Sequence, residues 1–143
     1  MKQFLFFNMY RNPIRVSIAI GFLILSGLFN SDLYGQNNIW VAPKSADQLK
    51  NPFKSSSTAV AEGKKIYQQL CTVCHGPKGK GDGVAGMTLK PRPANFTKDI
   101  VQDQSDGAIY WKVTEGRAPM APYKAALTEE QRWQLVNYIR TFK

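Results

Sequence analysis

The chain has 143 residues, enough for one domain, and its nineteen Lys and Arg against ten Asp and Glu give a formal charge of +9. It holds two cysteines and one histidine. That inventory excludes a disulfide-stapled scaffold, and it excludes a zinc site built from Cys and His, which needs about four protein ligands.

Lys2, Arg11 and Arg15 make a basic start, and residues 16–29 follow as a mostly apolar run without a charge. Such a run suits the core of an export leader and falls short of the roughly twenty residues that span a bilayer. We expect residues 1–35 to be a signal peptide cut after Gly35, although Leu33 is larger than the usual residue three before a cut. The alternative is an uncleaved anchor that holds the rest at the outer face of the inner membrane. A lipid anchor is excluded at this end, because residues 1–70 contain no cysteine. Loss of residues 1–35 leaves sixteen Lys and Arg against nine Asp and Glu, about +7. This charge favours an acidic partner, and solubility alone is the blander reading. Nucleic acid is a poor candidate, since an exported protein does not meet it and no basic stripe is interleaved with aromatics.

Residues 36–57 change character, with Pro43, Pro52 and the run Ser55-Ser56-Ser57 arguing against helix or strand. The segment reads as extended, with Trp40 and Phe53 available to pack it on the domain; a disordered tether is the alternative. The domain proper is expected over 58–143. Its first helix runs from Thr58, as cap, to about Cys71, with Val60, Gly63, Tyr67 and Leu70 recurring on one face. Gly63 costs such a helix about 1 kcal/mol against alanine, which a close helix-helix approach would explain.

Cys71-Thr72-Val73-Cys74-His75 then gathers both cysteines and the only histidine. Two thiols three positions apart can add across the two vinyl groups of a haem, while the next residue brings an imidazole nitrogen to the iron. The spacing predicts one covalently attached haem c. A thioredoxin-like redox pair is disfavoured because no strand leads into Cys71, and a structural disulfide closing so short a loop would stabilise little.

Residues 76–86 carry five glycines and read as a loop whose backbone turns tightly against the haem face. A proline carbonyl beyond it, from Pro91 or Pro93, is expected to receive the second N–H of His75 and raise its basicity. A helix is predicted from Ser105, as cap, to Glu115, with Gly116 past its end, Ile109 and Val113 inward, and Tyr110 or Trp111 as candidates to reach the haem. The last helix starts at Thr128, which forms a capping box with Gln131. Leu135, Tyr138, Ile139 and Phe142 share one face there, and Arg132, Gln134 and Asn137 are expected to lie away from it. No β pattern of any length occurs.

His75 fills one axial position of a haem iron. With no second histidine, methionine is the main candidate for the other, tyrosine or an open site being the alternatives. Met1 and Met9 belong to the leader, which leaves Met87 and Met120. Met120 lies between Pro119 and Pro122, in a stretch held non-helical and flanked by two predicted helices, and such a loop can carry a thioether to the far face of the ring. Met87, only twelve residues after His75, has the shorter path and is the second choice.

The stretch from about Thr58 to Lys143 resembles a class I cytochrome c: Gly-Lys-Lys-Ile-Tyr runs into Cys-x-x-Cys-His, followed by a Gly-rich middle, a Met loop, and a last helix ending Leu-Val-Asn-Tyr-Ile. The resemblance implies an all-α cytochrome c fold wrapped round one haem, with the first and last helices crossing at Gly63 and Tyr67 against Leu135 and Tyr138. It also implies His75 and Met120 as axial ligands and electron transfer through an exposed haem edge. Met120 is followed by Ala121 before Pro122, where the family more often has Met-Pro directly.

A six-coordinate iron accepts and gives one electron and has no vacant position for a substrate. The expected function is therefore a non-catalytic periplasmic respiratory carrier that docks briefly on redox proteins through Lys78, Lys80, Lys90 and Lys124 near the haem edge. Two alternatives are a haem subunit of a larger oxidoreductase, with residues 36–57 as its docking element, and a ligand-binding haem in which Met120 leaves the iron.

Overall fold

Ser56, in extended conformation, accepts the N–H of Ala59 on its hydroxyl at 3.2 Å, and the first helix, α1 (Ser57–Leu70), starts there. The cap therefore falls two residues before Thr58, which lies exposed in the first turn. The computed structural model describes residues 39–143. The expected leader at 1–35, its cut after Gly35, Met1 and Met9 lie outside the described residues.

Four further α-helices follow among the described residues: α2 (Thr72–His75), α3 (Asp99–Gln102), α4 (Asp106–Glu115) and α5 (Glu129–Ile139). The α5 start is the expected capping box, with Thr128 Oγ1 accepting the Gln131 N–H at 3.2 Å and Gln131 Oε1 accepting the Thr128 N–H at 2.9 Å. α4 is capped by Ser105 and ends at Gly116, whose φ of 61° suits glycine. No strand forms among these residues, only an isolated bridge between Arg117 and Met120.

α1 and α5 cross at Gly63. A Cβ there would run into the carbonyl oxygen of Gln134 and lie 3.0 Å from Cβ of Tyr138, so only glycine admits this approach. Around the crossing, Tyr67, Leu135 and Val136 are almost fully buried. Ile109, Val113 and Trp133 complete the core, with Trp133 stacked on Tyr110 at 4.0 Å between ring centroids.

Two residues of α5 correct the expected outward face. Arg132 is buried because its guanidinium donates to the Tyr110 hydroxyl at 2.8 Å and to the carbonyls of Leu127 at 2.7 Å and Lys124 at 3.2 Å. Asn137 is buried because its amide donates to Trp133 O at 3.1 Å. Polar side chains that find such partners can face inward without a large penalty.

Residues Val41–Lys143 form one unit. Within it the segment before α1 is not extended throughout: Lys44–Gln48 makes a 3-10 turn. Asp47 accepts from the Ser105 hydroxyl, Asn51 donates to Asp106 at 3.0 Å, and Phe53 packs on the core. Arg140 reaches the other oxygen of Asp106 at 2.7 Å, so one carboxylate ties this segment to the C-terminal turn. No helix among the described residues is long and apolar enough to cross a membrane.

Candidate haem site

α1 ends and α2 begins at Cys71, whose N–H closes the first helix and whose carbonyl opens the second. The Cys71 N–H reaches Tyr67 O at 2.9 Å, and the His75 N–H reaches Cys71 O at 2.8 Å. Cys71, Cys74 and His75 therefore share about one helical turn, and Gly76, at φ 76°, ends it. Both cysteines are unpaired and half-buried. Burial, with a smaller contribution from Cys74, pushes the Cys71 thiol up to about 12, so it stays protonated at neutral pH.

His75 is buried, and its Nδ1 donates to the carbonyl of Ala94 at 3.1 Å. Burial lowers the imidazole below its ordinary value and the Ala94 bond partly offsets this, which leaves a neutral ring at pH 7. With Nδ1 bonded to the carbonyl, Nε2 presents its lone pair. The acceptor is thus neither Pro91 nor Pro93. The Gly81 N–H binds His75 O at 2.9 Å and the Phe96 N–H binds Gly79 O at 2.7 Å, and this register brings Ala94 opposite the ring. Phe96 lies face to face with the imidazole, centroids 4.4 Å apart and planes 16° from parallel.

The glycine loop serves the backbone of the cysteine turn. The Gly83 N–H bonds Cys74 O at 3.1 Å, the Ala85 N–H bonds Val73 O at 2.9 Å, and a Cβ on Gly86 would meet the Cys74 carbonyl. Met87 follows in a 3-10 turn, Gly86–Thr88, and is 57% exposed.

Met120 is half-buried and closes a tight turn with Arg117, their N–H groups and carbonyls bonding in both directions at 2.9 and 3.0 Å. Three residues on, Tyr123 joins this loop to the cysteine turn. Its N–H binds Val113 O at 3.1 Å, and its hydroxyl donates to Leu70 O at 3.3 Å. Burial, then the charges of Cys71 and Cys74, raises the phenol above its ordinary value. Tyr110 belongs to the core, stacked on Trp133 and bonded to Arg132, while Trp111 is half-buried. Ala94, Phe96 and Tyr123 join the site unforeseen, since none of them carries a spacing signal of its own in the sequence.

Two unpaired thiols and a neutral imidazole with one nitrogen already bonded sit on one turn. A thioether lies on a loop tied to that turn, and Leu70 and Val73 beside it are 38% and 51% exposed. This donor set and its apolar neighbours fit a covalently held haem. The family model of Cytochrome c matches residues 60–143, more than half of the chain, and the chain belongs to this family. It is a c-type cytochrome of all-α cytochrome c fold, a haem electron-transfer protein, and the family implies covalently bound haem c.

Among solved structures, the reducing HAO-like protein complex Kustc0457/Kustc0458 of Kuenenia stuttgartiensis is 26% identical. Its TM-score is 0.57, over 66% of this chain and 49% of that one, so this chain spans about half the length of that relative. The KustC0563 c-type cytochrome is 33% identical over 57% of this chain and 96% of that one, with a TM-score of 0.49. No curated protein matches the chain significantly.

Proposed function

We propose that Cys71 and Cys74 bind one haem through thioethers, that His75 Nε2 and Met120 Sδ ligate its iron from opposite faces, and that the protein is an exported one-electron carrier. The observation that carries this reading is the buried, neutral His75 fixed through Nδ1 to Ala94, one residue after a pair of unpaired thiols. When bound, the haem supplies a one-electron couple, and thioether opposite imidazole favours the reduced state. The chain's own residues hold and shield it. Ala94 O keeps the Nδ1 proton and makes Nε2 the better donor. The turn at 117–120 and the Tyr123 bridge to Leu70 hold the methionine loop near the attachment turn. Lys78, Lys80, Lys90 and Lys124 suit an acidic redox partner in the periplasm.

Absorption spectra of both oxidation states, compared between the native protein and Met120→Ala, test the coordination. The variant is expected to lose the weak long-wavelength sulfur-to-iron band of the ferric form and to bind carbon monoxide rapidly when reduced, while Met87→Ala keeps the native spectrum. Retention of that band in Met120→Ala would overturn the assignment. Intact mass after export tests both the covalent haem and a cut after Gly35.

A second reading follows from the relative described as a protein complex, of which this chain spans about half the length. In that reading the chain is the haem subunit of a larger oxidoreductase. Stable co-purification with a large partner would favour it over a free carrier.

A further inference from the structure

We infer that Phe96 is a positioning residue for the axial imidazole: its ring, stacked on His75, sets the plane in which the histidine meets the iron. The inference rests on His75 being a ligand. A hydrogen bond from Nδ1 to Ala94 O fixes one point of the imidazole but leaves the ring free to rock about the line joining those two atoms. The Phe96 ring, 4.4 Å away and 16° from parallel, blocks that rocking on one face. Bond and stack come from the same short stretch, two residues apart, so neither can shift without the other.

Phe96 is itself held from three sides. Its N–H binds Gly79 O at 2.7 Å, its carbonyl accepts from Gln102 Nε2 at 2.6 Å, and its ring is stacked with Phe142 at 6.1 Å and meets Tyr67 edge-on at 6.3 Å. Phe142 in turn packs on Tyr67 at 5.2 Å and on Tyr138 at 5.1 Å. A line of rings thus runs from the C-terminal 3-10 turn, Arg140–Phe142, to the imidazole. A ligand plane held this way gives one orientation of the magnetic axes of a ferric haem, which a residue that only filled the core would leave unchanged.

The experiment uses the full haem-loaded protein and reads the hyperfine-shifted haem-methyl resonances and the g-anisotropy of the ferric state. In the native protein, resonances of an iron-bound imidazole test the ligation by itself; their absence would remove the premise and would be seen before any variant is made. With ligation present, Phe96→Leu is expected to change the order and spread of the haem-methyl shifts. Phe96→Tyr, which keeps the ring, and Phe53→Leu, which removes a core ring elsewhere, are expected to retain the native pattern. A native pattern in Phe96→Leu, or an equal change in Phe53→Leu, would overturn the inference. Should Phe96→Leu fail to retain haem, Phe142→Leu decides: a smaller change in the same direction supports the line of rings, and a native pattern overturns it.

Discussion

Gly63 is where one hydrogen atom decides whether two helices meet. The carbonyl of Gln134 and Cβ of Tyr138 occupy the place of its missing side chain, and a backbone carbonyl inside a helix cannot turn aside as a flexible side chain would. Gly63→Ala is therefore expected to lower stability by about 1–3 kcal/mol, even though alanine is the better helix former. Denaturant unfolding checks this, as a lower midpoint with an unchanged slope. A neutral or stabilising effect would mean that the helices separate easily. The sequence already points to this position, because a glycine on the apolar face in mid-helix weakens the helix unless a second backbone comes close enough to need it. It does not point to Ala94. Which carbonyl meets an imidazole depends on the register of residues 93–96 against 79–81, and that register is set by backbone hydrogen bonds that leave no mark on side-chain type.

At the scale of elements, the caps at Ser105 and Thr128 are legible because capping is local, written within four residues of the chain. Arg132 and Asn137 are not legible, since Tyr110, which accepts from Arg132, and Asn51, which donates to Asn137, are brought to them by folding from far along the chain. The four-residue α3 leaves no sequence signal because a single turn has no periodicity to detect. Asp106, at the start of α4, joins two elements that the sequence keeps far apart, the segment before α1 through Asn51 and the C-terminal turn through Arg140. Burial works to raise its carboxyl, but the hydrogen bonds from Asn51 and Arg140 and the charge of Arg140 outweigh burial and hold it below the ordinary carboxylate range. A carboxyl depressed on folding contributes stability above its unfolded value, and that contribution fades as pH falls through the folded one. Asp106→Ala is expected to cost about 1 kcal/mol near pH 7, discounted because the pair is partly exposed. The gap between variant and native protein should close as the pH is taken below the ordinary Asp range. Parallel unfolding curves across that range check it, and a gap independent of pH would assign the effect to packing.

Over the whole molecule, the excess of Lys and Arg makes the surface an attractor of anions. Two small redox reagents separate this field from specific docking. Oxidation of the reduced protein by hexacyanoferrate(III), an anion, is expected to slow severalfold between about 10 and 200 mM salt, and oxidation by tris(phenanthroline)cobalt(III), a cation, to quicken. Stopped-flow traces at several ionic strengths check this, and equal salt dependence for both reagents would leave the lysines a solubilising role only.

The pairing of α1 with α5 joins the opening of the domain to its close, since Gly63 packs on Gln134 and Tyr138. While the polypeptide is still being made, α1 lacks the helix it crosses at Gly63 until α5 has been synthesised, and contacts so distant along the chain are slow to form. The cysteine turn lies just behind α1, so both half-buried sulfurs are expected to be more open to a modifying enzyme before that pairing forms than after it.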